Sequence, residues 1–328
     1  MKKFFVLLSV AAVAMTACTN ESNEYVGSSE AREITFSPIT QNMTRGTSDG
    51  TTFPNYTIKV AAYDITNTTD PKAFFAATAF TKGTTYWSAS EAKYWPLSEA
   101  NISFLGYTDF TGTSATFTQT QELVLTMGDN STAQNDLMYA CGYGEVTKSG
   151  NNLTFPTAVE MVFKHAQAWI AFTVNADATT DGKIKLKSIT LNGAKYTGTY
   201  KVTHAGWDSH TKTAHSVSGQ WNPSGSGSNI AVPGWTGTAA AVSQTATAVG
   251  NGLLVVPDDT PNTDDFTSFD ITYELYGNDY TYTYTPASLD LEQGKKYTYN
   301  ITFKLHEILI DPKVTDWIAS STAVSVVN

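Results

Sequence analysis

The feature that most constrains the fold is a long succession of short β-type runs. Alternating or β-branched residues recur along the chain, for example at 56–63, 102–107, 169–174, 184–191 and 297–305. Clusters of Gly, Asn, Asp and Pro separate these runs at intervals typical of β-sandwiches. No segment of about 12 residues shows the apolar period of about 3.6 that an amphipathic helix needs. The sequence therefore predicts an all-β fold, with a hairpin at residues 277–279 between two Tyr-rich runs.

Chain length and turn signals together predict two domains. The 328 residues suffice for two domains of ordinary size. Turn-forming residues cluster between Asn175 and Gly182, near the middle of the chain. We therefore predict two tandem β-sandwich domains, over residues 33–177 and 178–328. Residues 201–250, rich in Ser, Gly, Thr and Ala, are predicted to form long loops.

The first residues predict export and attachment to lipid. Lys2 and Lys3 precede an apolar run, and small residues then lead to Cys18. The run is shorter than the roughly 20 residues of a membrane-spanning helix, so residues 1–17 are predicted to be a signal peptide. A cysteine at this place matches a lipobox, which predicts a diacylated Cys18 held in the outer membrane and a surface-exposed lipoprotein. The alternative is an ordinary signal peptide with a coincidental cysteine. The polar segment 18–32 is predicted to be a flexible tether.

Composition excludes several classes of function. The net charge of −10 argues against a nucleic-acid partner, which would need a basic surface. Cys141 is the single cysteine besides Cys18, so the chain has no disulfide framework. Because no His or Asn pattern of a thiol nucleophile surrounds Cys141, we expect it to be a buried apolar residue.

Two groups of side chains are candidates for chemical sites. A glycosidase pair or a calcium site could use the four carboxylates of one loop, Asp258, Asp259, Asp264 and Asp265. Their position favours solvated turn residues instead. The spacing of His204, His210 and His215 matches no usual zinc motif. The sequence therefore predicts no catalytic residue, metal or cofactor, and a protein that is not an enzyme.

Three tryptophans in the stretch 201–250 form a candidate ligand platform. They are Trp207, Trp221 and Trp235. Exposed aromatic rings on loops can stack against sugar rings or anchor a protein partner. The alternative is that these rings pack beneath the loops, as tryptophans of secreted β-proteins usually do.

Several motifs in a fixed order carry a resemblance to a known family. After the lipobox come a Tyr-Trp-Pro turn, an aromatic strand, an Asn-Asp-Leu-Met-Tyr-Ala segment, a Phe-Lys-His-Ala segment and two C-terminal motifs, at 94–96, 102–107, 135–140, 163–166, 289–303 and 314–317. Together these motifs resemble the fimbrillin superfamily of Gram-negative anaerobes, whose members build type V pili.

The resemblance implies both a fold and a mechanism of assembly. The fold would be β-sandwich domains of the transthyretin-like, Greek-key type. An Arg-specific protease would cut a loop of the N-terminal domain and release the first strand, and a strand of a neighbouring subunit would fill the open groove. The partners would be other pilus subunits, in a homo- or heteropolymer that supports adhesion from the fimbrium.

Residues 33–45 match the removable strand and the processing loop of this mechanism. The apolar residues of the predicted strand are Ile34, Phe36 and Ile39. The predicted cut lies between Arg45 and Gly46, in a polar loop of the kind that proteases favour. The alternative is that Arg45 is a solvated loop residue of an uncut protein.

The C-terminal residues form the candidate donor strand. Its small and β-branched side chains are Ala323, Val324, Val326 and Val327. They could equally form the last strand of the subunit's own C-terminal domain, so a stalk, tip or anchor role stays open. The alternative function is a non-polymerising surface lipoprotein, a tip-like adhesin or carbohydrate-binding protein, with a host or bacterial glycan or protein as its receptor. A polysaccharide-degrading enzyme is a third alternative.

Overall fold

The computed structural model describes residues 31–40, 56–118, 122–203, 218–235, 241–260, 264–287, 290–304 and 308–317. All regular elements in these ranges are β-strands, which confirms the predicted all-β class. In the first part of the chain they are β1 (Phe36–Thr40), β2 (Thr57–Asp64), β3 (Lys72–Lys82), β4 (Trp87–Ala89), β5 (Ala100–Asp109), β6 (Thr113–Phe117), β7 (Glu122–Met127), β8 (Met138–Ser149), β9 (Asn152–Thr154) and β10 (Val159–His165). They continue with β11 (Ala168–Ala176), β12 (Ile184–Ala194), β13 (Gly198–Thr203), β14 (Ser218–Pro223), β15 (Ser228–Ala231), β16 (Thr247–Ala248), β17 (Leu253–Val255), β18 (Ser268–Leu275), β19 (Asn278–Tyr284), β20 (Lys295–Phe303) and β21 (Ile308–Asp316). Within the described ranges, no helix has the length and apolar character needed to cross a membrane.

Seven of these strands close into a ring. Hydrogen bonds connect them in the order β10-β1-β4-β3-β2-β5-β8, and β8 pairs back to β10. β9 pairs with β8 beyond the ring. The core inside the ring, called the ring core below, contains large apolar side chains that include Ile34, Phe36, Phe80, Trp87, Phe104 and Phe163.

Strand β5 shows why the chain carries an almost unbroken apolar run at 102–107. Ile102 and Phe104 point into the ring core, whereas Leu105 and Tyr107 belong to a second core outside the ring. Because both faces of β5 are buried, its sequence lacks the apolar–polar alternation of a half-exposed strand.

The second core lies between the ring and a four-stranded sheet ordered β14-β13-β7-β6. β7 and β13 pair antiparallel from Met127↔Gly198 to Glu122↔Thr203. This sheet therefore joins strands from both sides of residue 177, where we predict the domain boundary. The domain limits and their tandem-sandwich form stay predictions. The stretch 201–250, predicted to be loops, carries strands β14, β15 and β16.

The third core lies between two further sheets, ordered β16-β11-β20-β21 and β15-β12-β18-β19, with β17 also on β11. Phe269 of β18 connects the two layers: its ring lies 5.1 Å from that of Phe172 on β11 and 5.0 Å from that of Tyr299 on β20.

The predicted hairpin near residue 277 is present between β18 and β19. Leu275 pairs with Asn278, which leaves a two-residue turn of Tyr276 and Gly277. Their φ angles are 50° and 80°. Positive φ at both positions is the conformation of the tight turns that suit the twist of antiparallel strands.

Candidate functional site

Strand β1 completes the ring of seven strands. It lies between β10 and β4. It pairs with β10 in parallel along its whole length, from Phe36↔Val159 to Thr40↔Phe163. Its contact with β4 is a single pair, Phe36↔Trp87.

The edge of β10 depends on β1. The pairing of β10 with β8 involves only its last two residues, Lys164 and His165. Over residues 159–163, β1 is the one strand partner that the described part of the chain gives to β10. Removing β1 would therefore open the ring and leave backbone N–H and C=O groups of β10 without their partners.

The Tyr-Trp-Pro turn holds the residues that precede β1. The N–H of Ile34 donates to the carbonyl oxygen of Lys93 at 2.7 Å. The N–H of Trp95 donates to the carbonyl oxygen of Arg32 at 2.9 Å. The indole of Trp95 is itself buried in the ring core. The predicted aromatic turn thus fixes the entry of the first strand into the ring.

The slot that β1 occupies is apolar and aromatic. Ile34 and Phe36 are both fully buried. The Phe36 ring meets Phe80 and Phe104 edge to face, with centroid distances of 4.7 and 5.2 Å. We call this region the β1 slot and define its walls by Phe80, Trp87, Trp95, Phe104, Met161 and Phe163.

The slot holds an extended strand whose apolar residues are two positions apart. Alternate side chains of a strand point to the same face, so Ile34 and Phe36 enter the slot while Thr35 donates to the carbonyl oxygen of Thr157 at 3.2 Å. Burying a side chain of this size contributes about 1.5–3 kcal/mol. The residues predicted to be displaced therefore point into the core; their displacement stays a prediction. The side chain of Ile39, the third predicted residue, lies outside what is described.

The other predicted parts of the assembly mechanism lie outside the described residues. Arg45 and Gly46 fall in segment 41–55, which connects β1 to β2. Lipidation at Cys18 falls in segment 1–30, and the candidate donor residues Ala323, Val324, Val326 and Val327 fall in segment 318–328.

Several motifs that the sequence shows separately meet at the end of β10. The Nδ1 atom of His165 lies 3.0 Å from Oδ1 of Asp136, and both side chains are largely buried. The imidazole also stacks on the indole of Trp317, with 3.7 Å between the ring centroids. Three motifs that are far apart in the sequence thus form one cluster, which we call the junction cluster.

Backbone hydrogen bonds extend the junction cluster. The side-chain oxygen of Gln167 accepts from the N–H of Leu137 at 2.9 Å. The carbonyl oxygen of Gln167 accepts from Gly294, whose own carbonyl oxygen accepts from Trp317, both at 2.9 Å. The sequence motifs did not predict that these segments meet. The signal that could have indicated the cluster is the presence of the polar residues Asp136, His165 and Gln167 within otherwise apolar strand motifs.

Part of the acidic loop is built into the fold: the expectation of solvated turn residues is corrected for Asp258 and Asp265, whereas Asp259 is exposed. Asp265 is 1% exposed and accepts from the backbone N–H groups of Asp258 and Leu291. Burial raises the pKa of its carboxyl group to about 6. Asp259 accepts from the N–H of Trp221 at 2.6 Å, and Asp258 pairs with Lys195 at 2.8 Å. Asp264 is exposed.

Neither the remaining cysteine nor the described acids and histidines form a chemical centre. Cys141 is buried, and burial raises the pKa of its thiol to about 12. Among the described residues, no group of three His, Cys, Asp or Glu side chains could hold a metal ion. His204, His210 and His215 fall in segment 204–217, outside the described part of the chain.

The three tryptophans of the candidate ligand platform have different surroundings. Trp221 is 3% exposed, its indole N–H donates to the carbonyl oxygen of Ala166, and its ring lies 5.0 Å from that of Tyr200. The prediction of an exposed stacking surface is therefore corrected for Trp221. Trp235 is half-buried against the third core. Trp207 falls outside the described residues.

The described strands define an all-β protein with a ring of seven strands that its own first strand completes. The chain belongs to the fimbrillin-like family: the model of that family matches residues 44–317. This confirms the resemblance seen in the sequence motifs. The match begins after β1 and ends at Trp317. No protein with a curated description matches the chain.

Solved structures share the fold. A fimbrial protein from Bacteroides vulgatus has a TM-score of 0.54 at 18% identity, and the match covers 88% of this chain and 100% of that one. A candidate cell adhesion protein from Bacteroides uniformis has a TM-score of 0.51 at 15% identity, with 87% and 98% covered. Another from Bacteroides ovatus has a TM-score of 0.52 at 13% identity, with 88% and 99% covered. At such identities the similarity establishes the fold alone.

Proposed function

We propose that this protein is a non-enzymatic subunit of a fimbrial polymer in which a strand of a neighbouring subunit takes the place of β1. The observation that carries the proposal is the β1 slot: Ile34 and Phe36 are fully buried, and β1 supplies the partner of β10 along five residue pairs. Family membership supports a fimbrial role. The protein would act at the cell surface, in adhesion through the fimbrium.

The positions of the arginines support a processing step. The chain contains two arginines, Arg32 and Arg45, and they flank β1 on its two sides. A cut after Arg45 would separate β1 from β2 covalently and leave it held by hydrogen bonds and side-chain packing. A cut after Arg32 would leave β1 joined to the rest of the chain. Cleavage at Arg45 is thus the event that would make the slot available.

The incoming strand would come from another subunit of the same polymer. Val324 and Val326 are two positions apart, as Ile34 and Phe36 are, so one face of segment 323–327 could fill the slot. Backbone pairing with β10 would supply the strength of the joint, and the apolar pockets would supply its specificity. A signal peptide over residues 1–17 would direct export and be removed, and a lipid on Cys18 would then keep the subunit at the outer membrane until assembly.

A disulfide that locks β1 in place tests this exchange. Ser37 and Glu160 are register partners on the face opposite Phe36, and neighbouring strands lie about 4.8 Å apart, close enough for a disulfide. The full chain carrying Cys18→Ser, Ser37→Cys and Glu160→Cys would be cut with an Arg-specific protease under oxidising or reducing conditions. We expect SDS-resistant oligomers only after reduction, whereas either single cysteine variant forms them in both conditions. Equal oligomer formation with the lock closed would refute exchange at this slot.

A further inference from the structure

Strand β19 is an exposed edge of its sheet. It pairs with β18 on one side, and residues 278–283 are all exposed. Tyr280 and Tyr282 are 46% and 39% exposed. The strand contains neither lysine nor proline, and its single charge, Asp279, is paired with Lys187 at 2.5 Å. An exposed strand edge of this kind is open to pairing with another chain.

Other described sheet edges carry features that oppose such pairing. The edge strand β21 contains Pro312 between two charged residues, Asp311 and Lys313. β14 ends at Pro223, and β15 and β16 have four and two residues. β6 has five residues, whereas β19 has seven. Because prolines, charges and short length are the usual protection of an edge, β19 is the least protected sheet edge in the described part of the chain.

Side-chain contacts already order β19 for pairing. Tyr280 stacks on Tyr273 with 5.7 Å between the ring centroids, and Tyr284 lies 5.1 Å from Phe269. On the opposite face, the hydroxyl of Thr283 donates to Asp270 at 2.6 Å. Since these rings are held in place before any partner arrives, little conformational entropy is lost on association.

We propose that β19 pairs antiparallel with β19 of a second copy of this chain, which joins two four-stranded sheets across a two-fold axis. Full overlap of the seven residues places Thr281 on the axis. Tyr280 then faces Tyr282 of the partner subunit, and aromatic cross-strand pairs of this kind stabilise a sheet. Asp279 faces Thr283 of the partner subunit, so no like charges oppose each other. This self-complementarity favours a second copy over an unrelated strand.

Pairing of two strands alone gives a weak interface. We expect it to bury less than the roughly 1,000 Å² of total surface that a stable protein complex needs. The fraction of paired chains would increase where many copies are held close together on one surface, because their effective concentration is high there. The pairing does not require cleavage or exchange of β1, so it is independent of the proposed function.

Cysteine cross-linking tests the pairing. Directly opposite residues of antiparallel strands have Cα atoms about 4.5–5.5 Å apart, which permits a disulfide. The full chain would carry Cys18→Ser with Thr281→Cys, and the control would carry Thr315→Cys, an exposed threonine on the protected edge β21. Cys141 is buried and stays unchanged. We expect dimers of the Thr281→Cys chain to form at least about tenfold faster than those of the control.

The register gives a second readout. Chains carrying Asp279→Cys should link to chains carrying Thr283→Cys, and neither should link to itself at that rate. We expect sedimentation of the native chain to show concentration-dependent self-association, and Thr281→Lys, which places two like charges on the axis, should abolish it. Equal cross-linking at Thr281 and Thr315 would overturn the proposal. A second pair of results would also overturn it: a native chain that stays monomeric, and a Tyr280→Ala variant that is retained less on immobilised glycans. The exposed tyrosines would then bind a sugar and not a second copy of the chain.

Discussion

The imidazole of His165 lies flat against the indole of Trp317, with 3.7 Å between the ring centroids and 9° between the ring planes. His165 ends β10, the strand that carries β1, and Trp317 directly follows β21 of the third core. The stack therefore connects the ring that holds the β1 slot to the C-terminal pair of sheets.

A double-mutant cycle measures this connection. We expect His165→Ala and Trp317→Ala to be non-additive by about 0.5–1.5 kcal/mol in the free energy of unfolding, because both remove the same ring contact. Chemical denaturation of the four chains supplies the measurement. His165→Ala combined with Tyr276→Ala, on the distant exposed turn, should be additive within about 0.5 kcal/mol. Additivity in the first cycle would show that the stack carries no coupling.

Phe36→Ala tests the contribution of the β1 slot to stability. The ring is fully buried against Phe80 and Phe104, so its removal leaves a cavity and should cost about 3–5 kcal/mol in the uncut chain. Ser37→Ala, on the other face of the same strand, should change stability by less than about 0.5 kcal/mol. Urea denaturation compares the two. Similar losses for both variants would mean that the ring core does not depend on β1.

Gly144→Ala tests the support of the turn that precedes β1. A Cβ atom at residue 144 would lie 2.1 Å from the Trp95 ring, so the ring must shift, at a cost of about 1–3 kcal/mol. Because Trp95 donates to the carbonyl oxygen of Arg32, an Arg-specific protease should then cut at Arg32 faster. Thr147→Ala, exposed on the same strand, is the control. An unchanged rate of cutting at Arg32 would argue against this support.

Asp265 predicts a pH dependence of stability. Burial raises the pKa of its carboxyl group from 3.8 to about 6 in the folded chain. The unfolded chain binds a proton less tightly, so the contribution to stability is fully present below pH 3.8 and is lost as the pH rises through about 6. The shift corresponds to at most about 3 kcal/mol.

The measurement compares the full chain with Asp265→Asn at pH 4 and pH 7. Other carboxylates titrate in both chains, so the difference between their unfolding free energies isolates Asp265. That difference should favour the native sequence more at pH 4 than at pH 7. Asn replaces one accepting oxygen of the carboxylate by an N–H donor, which lowers stability at both pH values. Because Asn does not titrate, this loss adds no pH dependence to the free energy of unfolding. A pH-independent difference would contradict the burial of a titrating carboxyl group.

Local patterns in the sequence were sufficient to predict the strand class, the hairpin turn and the apolar spacing of β1. Ile34 and Phe36 are two positions apart because a strand directs alternate side chains to one face, and the structure buries both. The order of the family motifs was equally visible. These features are determined by residues that are close together in the chain, so the spacing of apolar and turn-forming residues is enough to predict them.

Long-range pairing was the part that the sequence left open. β7 pairs with β13, some 70 residues away, and no local signal specifies that partner. Asp265 looks like a solvated turn residue until the fold brings the N–H of Leu291 to it. Trp221 looks like an exposed loop ring until the carbonyl oxygen of Ala166 meets its indole N–H. Each of these depends on contacts between segments that are distant in the chain.

The central claim is that β1 leaves its slot and a neighbour's strand replaces it. The most direct measurement is to cut the full chain with an Arg-specific protease and to identify the N-terminus of every SDS-resistant species by mass spectrometry, with Arg32→Ala and Arg45→Ala as matched variants. We predict a ladder of oligomers whose subunits begin at Gly46, formed by the native and Arg32→Ala chains and absent with Arg45→Ala. Cut chains that stay monomeric, with the β1 fragment still bound, would contradict the account.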